Sequence, residues 1–207
     1  GAQFSAYRGG WDVTVNCLYH YFATPAVFIE QGPGGVVATP EFRRTHTAGG
    51  TLSNAFGDFT VRGEVGYSSD RFFIAGDPAD ADGVVEAGEL SYVLGLDWMG
   101  LTDTLLSVQL FQSWASLDDG EATRDPLETD LTLLARRSFW NETLTLSVLA
   151  IQDVDRGDGL VSASISYDYL ANLILRLEAD VFYGSNDGRF GQFDQQDRIL
   201  LGIEYGF

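Results

Sequence analysis

Leu173-Ile-Leu-Arg-Leu-Glu-Ala-Asp-Val-Phe-Tyr183 decides the fold. Its odd positions are all apolar or aromatic, and three of its even positions are Arg176, Glu178 and Asp180. A period of two sends successive side chains to opposite faces of an extended chain, so the stretch reads as a β-strand with one apolar and one wet face. The same opposition recurs outward from it. Val161, Ala163, Ile165, Tyr167 and Tyr169 oppose Ser162, Ser164, Ser166 and Asp168; Ile199, Leu201, Ile203, Tyr205 and Phe207 oppose a face with Arg198 and Glu204. Toward the N-terminus, Phe59, Val61, Gly63, Val65 and Tyr67 oppose Thr60, Arg62, Glu64, Gly66 and Ser68. Trp11–Phe22 likewise sets Trp11, Val13, Val15, Cys17, Tyr19 and Tyr21 against Asp12, Thr14, Asn16, Leu18, His20 and Phe22.

Leu90–Met99, Thr104–Trp114, Thr129–Phe139 and Thr143–Ile151 fit the pattern less cleanly, and in Arg43–Phe56 the parity of the apolar face is open. Ten strands result, near the length of roughly 9–11 residues with which a tilted strand crosses a bilayer. Their connections are of two kinds. Gly57-Asp58, Gly100–Asp103, Trp140–Glu142 and Ala171-Asn172 are tight turns, whereas Ala23–Phe42, Ser69–Glu89, Ala115–Glu128, Gln152–Gly159 and Gly184–Asp197 are long and polar. Outer-membrane barrels alternate short periplasmic turns with long external loops. The expected fold is therefore all-β: a transmembrane antiparallel up-and-down β-barrel, as a single domain over residues 1–207. Its C-terminus is expected to be periplasmic. Girdle aromatics are expected at Trp98, Phe139, Trp140, Tyr167, Tyr169 and Tyr205 on that side, and at Tyr19, Tyr21, Tyr67, Tyr92, Trp114 and Tyr183 on the other. Gln3–Tyr7 reads as the stub of one more strand before a Gly9-Gly10 turn. Because bacterial barrels have even strand numbers, the segment is expected to be the C-terminal part of a larger barrel.

Composition narrows the function classes. The 207 residues are 45% apolar with a net charge of −18. No apolar run of the roughly 18 residues needed by a membrane helix occurs. A nucleic-acid partner would require a basic footprint that this chain lacks. The single Cys17 allows no internal disulfide and lies on the apolar parity, where it reads as a small hydrophobe.

Several segments carry a resemblance. Trp11-Asp-Val-Thr-Val-Asn16, Arg62-Gly-Glu64, Gly95-Leu-Asp-Trp98, Arg136-Arg-Ser-Phe-Trp-Asn141 and Gly188-Arg-Phe-Gly-Gln-Phe193, with Asp197-Arg198, resemble large proteobacterial outer-membrane proteins catalogued as a domain of unknown function, number thirteen-oh-two. That resemblance implies a porin or a transporter of hydrophobic compounds. Tyr205-Gly-Phe207 resembles the terminal signal through which bacterial barrels are handed to their assembly machinery, making Tyr205 and Phe207 the expected assembly residues.

The wet face supplies the expected lumen lining: Arg62, Glu64, Asp97, Asp130, Arg136, Asp168, Arg176, Glu178, Asp180, Arg198 and Glu204. Opposed rows of charge across a lumen would select solutes by charge, while pairing along the wall would merely solvate it. The leading expectation is an outer-membrane channel passing small solutes. A structural or partner-binding barrel with acidic loops is the alternative, and its partners would belong to an envelope complex. Lipid bilayer and lipopolysaccharide are the expected surroundings. No cofactor is expected, with calcium in the external loops, at Asp77, Asp80, Asp82 and Glu89, as the alternative: Asp80-Ala-Asp82-Gly83 with Val85 and Glu89 matches later positions of a calcium loop, but Pro78 occupies the place of the first ligand. Asp153-Val-Asp-Arg-Gly-Asp158 is a second such candidate. Catalysis is not expected. A rim hydrolase, the third reading, would have to use His20 or His46 with Ser68, Ser69 and Asp70.

Overall fold

The computed structural model describes residues 1–32 and 35–206. Phe207, one of the two expected assembly residues, lies outside the described residues. Eleven strands form one antiparallel up-and-down sheet: β1 (Ala2–Arg8), β2 (Trp11–Tyr21), β5 (Arg44–Phe56), β6 (Phe59–Ile74), β7 (Val84–Trp98), β8 (Thr104–Ala115), β9 (Leu127–Phe139), β10 (Leu144–Asp153), β11 (Gly159–Leu170), β12 (Leu173–Tyr183) and β13 (Arg198–Tyr205), hydrogen-bonded in that order. All ten expected strands are present and the stub is a true strand, paired with β2 from Ala2↔Cys17 to Arg8↔Trp11.

The tight turns form where the chain can take a left-handed backbone. Gly9 and Gly10 have φ of 61° and 85°, the pair of positive values that a two-residue hairpin turn demands. Trp140, Asn141 and Glu142 adopt φ of 54°, 55° and 66° without any glycine, so this turn carries backbone strain.

Four features depart from the expectation. Residues 23–42 are not an irregular loop, because β3 (Ala26–Gly32) and β4 (Gly35–Glu41) pair there as a separate hairpin. Its runs Ala26-Val-Phe-Ile29 and Val36-Val-Ala38 are apolar without alternation and stand among Pro25, Pro33 and Pro40, so period two is silent. β6 continues to Ile74 and β7 begins at Val84, reducing the expected loop Ser69–Glu89 to residues 75–83. The connection between β10 and β11 shrinks to residues 154–158 and is no longer than the turn 99–103, so the long–short alternation is clear at the other long connections only. Finally, the β11–β12 register shifts between Asp168 and Leu170, which sets Tyr169 in an irregularity rather than on the regular apolar face.

Contacts gather into two units. The first comprises Gly1–Ser53, Gly63–Val93 and Gln112–Glu128. Its small apolar cluster is Phe73, Ala87, Ala115 and Ala122 with Leu117 against it, and the loop after β8 is tied in by an Ala75↔Ala122 bridge. The second comprises Asn54–Arg62, Leu94–Phe111 and Thr129–Phe207. Register across β9–β13 in this unit aligns uninterrupted rows, such as Ala135, Val148, Ala163, Ala179 and Ile199 on one face and Arg136, Ser147, Ser164, Glu178 and Leu200 on the other.

Burial is inverted relative to a water-soluble sheet. On inner strands Leu133 is 51% and Val181 47% exposed, whereas Asp153 and Asp180 are each 3% exposed. Among the described residues the buried apolar side chains are few and, Phe73 excepted, are alanines.

Candidate functional site: the polar face and its loops

In the second unit the alternation of β12 and β13 brings Asp180 directly opposite Arg198, and their side chains bond at 2.6 Å. Arg176 reaches Glu204 at 2.8 Å, and Arg62 reaches Asp97 at 2.9 Å. Each pair joins neighbouring strands of one face, so the charges are compensated along the wall. The exposed Arg176–Glu204 pair contributes at most about 1 kcal/mol. Asp180 is different: its carboxylate is buried and bonds Ser162 as well as Arg198, so losing the arginine removes one charge-assisted bond, worth about 1.5–3 kcal/mol. Glu178 stands opposite Ser164 and Leu200, and Asp168 opposite Ile174. Arg136 lines a cavity of about 490 Å³ with Asp103, Ser138 and Glu142. In the first unit Glu64 lines a cleft of about 280 Å³ with Asn16, Thr47 and Ser91.

In the first unit Glu89 is a heavily bonded carboxylate. Its two oxygens accept Arg71 Nη1 at 2.5 Å, Arg124 Nη1 at 2.8 Å and Ser113 Oγ at 2.7 Å. Arg124 also binds the Ser113 carbonyl at 3.2 Å and pairs with Glu128 at 3.5 Å. Both guanidinium groups lie over the Phe73 ring, at 5.5 and 5.2 Å, and Arg71 sits 3.9 Å from the Phe22 centroid. Glu89 belongs to the face of Ser91 and Ser113, which bond each other at 3.2 Å. Arg71 therefore shares that polar face, as does Ser68, whose hydroxyl meets Thr47. Positions 68 and 71 differ in parity, so the alternation of β6 inverts between them. That inversion is why period two loses the strand at Ser68 and why Arg71 escapes the list of expected wall residues.

The four carboxylates expected for calcium each have protein partners. Asp77 Oδ1 accepts the Ala79 amide at 2.8 Å, Asp80 Oδ1 those of Asp82 and Gly83 at 3.1 and 2.8 Å, and Asp82 Oδ1 that of Val84 at 3.3 Å. These carboxylates hold their own turn, and Glu89 is committed to two arginines on β6 and the 116–126 loop. Among the described residues no three His, Cys, Asp or Glu side chains stand close enough together to hold a metal ion. The backbone amides of Gly83 and Asp82 keep the Asp80 carboxyl below its usual range.

The loops of the second unit hold a feature that sequence reading underrates. Asp158 Oδ2 accepts the amides of Phe190 and Gly191 at 2.5 and 2.9 Å, docking the 3₁₀ turn Gly191–Phe193. A Cβ on Gly188 would collide with that carboxylate, and one on Gly191 with the Ser185 carbonyl. Asp153 Oδ1 caps the amides of Asp155 and Arg156, and Arg189 bridges Asp130 at 2.9 Å and Asp153 at 3.6 Å. Gly188-Arg-Phe-Gly-Gln-Phe193 is thus a docking segment for Asp158. The signal was the aspartate spacing from Asp153 to Asp158, which reads equally as a calcium loop.

His20 and His46 fall on opposite faces. His20 Nε2 meets Thr47 Oγ1 at 3.1 Å on the polar face, and Thr47 meets Ser68 at 3.3 Å. His46 stacks on Tyr19 at 4.4 Å, opposite it in register. The two histidines cannot serve one polar site, and Ser69 bonds Asp70 rather than either ring. The β2–β5 register also settles the parity of β5: His46, Ala48, Gly50 and Leu52 share the face of Val13, Val15 and Cys17.

No family model and no curated protein matches the chain. Among solved structures it is similar to a KdgM porin, with 12% identity and a TM-score of 0.42, the alignment covering 99% of this chain and 95% of that one. A second, described as KdgM porin in complex with disordered oligogalacturonate, gives 11% identity, the same TM-score and the same coverage.

Proposed function

We propose that the chain forms a β-barrel of the bacterial outer membrane that passes small solutes along its polar face, with the end of β13 periplasmic. The inverted burial carries this reading. A sheet whose inner strands expose Leu133, Val148 and Val181 while burying Glu89, Asp153 and Asp180 is matched to an apolar solvent outside and a wet interior. No helix of the described residues is long and apolar enough to cross a membrane, and strands of 7–16 residues are the elements that would do so. Charges paired along the wall keep the interior solvated and leave room for passage. Tyr205, exposed opposite Leu173 on the apolar face, fits recognition by the assembly machinery.

Single-channel recording in planar bilayers tests the proposal. Stepwise conductance is the expected result; insertion without conductance would overturn the channel reading. The docking of residues 184–197 on Asp158 favours a second reading in that case, a barrel whose ordered acidic loops present a surface to an envelope partner.

A further inference from the structure

The outward face is not uniformly apolar. The β2–β5 register sets Arg44 opposite Tyr21 and His46 opposite Tyr19, continuing the row of Val13, Val15 and Cys17 toward the long connection that follows β2. All four side chains are exposed. The Arg44 guanidinium lies 4.6 Å from the Tyr21 centroid and 5.1 Å from that of Tyr19, and the Tyr19 and His46 rings stack at an interplanar angle of 24°. Arg43 next to it pairs with Glu41 at 2.7 Å, but among the described residues no carboxylate lies within ion-pairing distance of Arg44. A guanidinium lying over two tyrosine rings with no carboxylate partner, on a chain of net charge −18, is fitted to an anion supplied from outside.

We propose that Arg44, with His46, Tyr19 and Tyr21, binds the phosphate of a phosphorylated glycolipid headgroup at the long-loop end of the outward face; this rests on the membrane reading above. The chemistry follows from position. A guanidinium on a lipid-facing surface is costly near the bilayer centre and is accommodated at the headgroup level. There its planar fork matches two phosphate oxygens, while stacking on Tyr19 and Tyr21 fixes its orientation. The tyrosines are themselves interface residues. A soluble anion would find no reason for a site flanked by Val15 and Cys17, whereas a lipid brings acyl chains to cover them.

The test uses the whole chain folded in phosphatidylcholine nanodiscs, with diphosphoryl lipid A as the probe and native mass spectrometry counting retained lipid. The wild-type chain should retain lipid A, and Arg44→Gln should weaken retention roughly tenfold or more, as loss of a bidentate phosphate contact does. Arg44→Lys keeps the charge without the fork and should fall between them. Arg137→Gln, on the same face but in β9 beside Phe139, should leave retention unchanged. Equal loss in both glutamine variants would mean a general charge effect and overturn the site. Displacement by millimolar inorganic phosphate would mark a free-anion site and overturn it too. Normal insertion with undiminished lipid A retention in Arg44→Gln overturns this proposal alone, whereas failure of the wild-type chain to enter any vesicle overturns the membrane reading and this proposal with it. Should Arg44→Gln not fold, Tyr21→Leu removes half of the aromatic platform and decides the matter by the same measurement.

Discussion

Arg198 is 59% exposed by side chain, but its partner Asp180 is only 3% exposed. The arginine can be replaced by water on its own account; the carboxylate cannot. With Ser162 still bonded to Asp180, Arg198→Ala should destabilise the folded chain by about 1.5–3 kcal/mol, and Asp180→Asn in the same background should recover most of that. Urea unfolding from vesicles measures both, and equal loss in the single and double variants would show that the pair is not the cause. A second residue-scale effect has the opposite sign. Glu142 sits at φ 66° within a run of three left-handed residues, a conformation that costs an L-residue roughly 1–2 kcal/mol. Glycine has no such penalty and loses about 0.5–1 kcal/mol through its freer unfolded chain. Glu142→Gly should thus be neutral to stabilising by about 1 kcal/mol in the same unfolding measurement. A clear loss would mean that the Glu142 side chain, in the cavity beside Arg136, matters more than its backbone.

At the scale of elements, the 3₁₀ turn in the loop that follows β12 is docked by the Asp158 carboxylate, beside the Arg189 pairs with Asp130 and Asp153. Removing that carboxylate in Asp158→Ala leaves the amides of Phe190 and Gly191 without their partner, at about 1–3 kcal/mol each. Since the sheet does not depend on this docking, the effect should be local: residues 184–197 become sensitive to limited proteolysis while strand protection is kept. Unchanged cleavage would show that the 3₁₀ turn stands on its own. The 75–83 turn responds to acid instead. The Asp80 carboxyl is lowered by the amides of Gly83 and Asp82, so its contribution is fully present above the ordinary carboxylate range and is lost only as pH falls through the lowered value. Carboxyl-carbon NMR should show Asp80 titrating below a peptide aspartate, and Asp82→Pro, which removes one of the two donors, should bring it back up. These elements also show what a sequence can and cannot disclose. Strands with one wet and one apolar face, such as β12, are legible because burial follows period two. β6 is lost after Ser68 because its alternation changes phase, and β3–β4 because its apolar runs do not alternate. Wall residues on regular strands, such as Asp180 and Arg198, were legible by parity; Arg71 and Arg124, one beyond the phase change and one in a loop, were not. Asp158 looked like a metal ligand because ligation of an ion and capping of backbone amides call for the same residue in the same kind of loop.

For the whole molecule the question is which ions the polar face would favour. The expected wall residues comprise seven carboxylates, Glu64, Asp97, Asp130, Asp168, Glu178, Asp180 and Glu204, against four arginines, Arg62, Arg136, Arg176 and Arg198; on the same face Asp12, Glu89 and Asp153 outnumber the one further arginine, Arg71. Pairing between neighbouring strands cancels the close fields of three of those arginines, but it does not change the sum. The net charge of the chain, −18, has the same sign, and the acidic loops would raise cation concentration at the entrance. A channel built on this face should thus prefer potassium to chloride. Screening adds a second, independent signature. At about 0.1 M salt the Debye length is about 10 Å and at 1 M about 3 Å, so excess negative charge acts across a wet interior only in dilute electrolyte. The reversal potential in a potassium chloride gradient should carry the sign of cation selectivity and should shrink as both compartments are raised toward molar salt. Glu178→Gln and Asp168→Asn, which remove negative charges outside the three wall pairs, should reduce it further without altering stability by more than about 0.5 kcal/mol. An anion-selective potential would mean that the paired arginines, with Arg71 and Arg124 at the long-loop end, set the field instead.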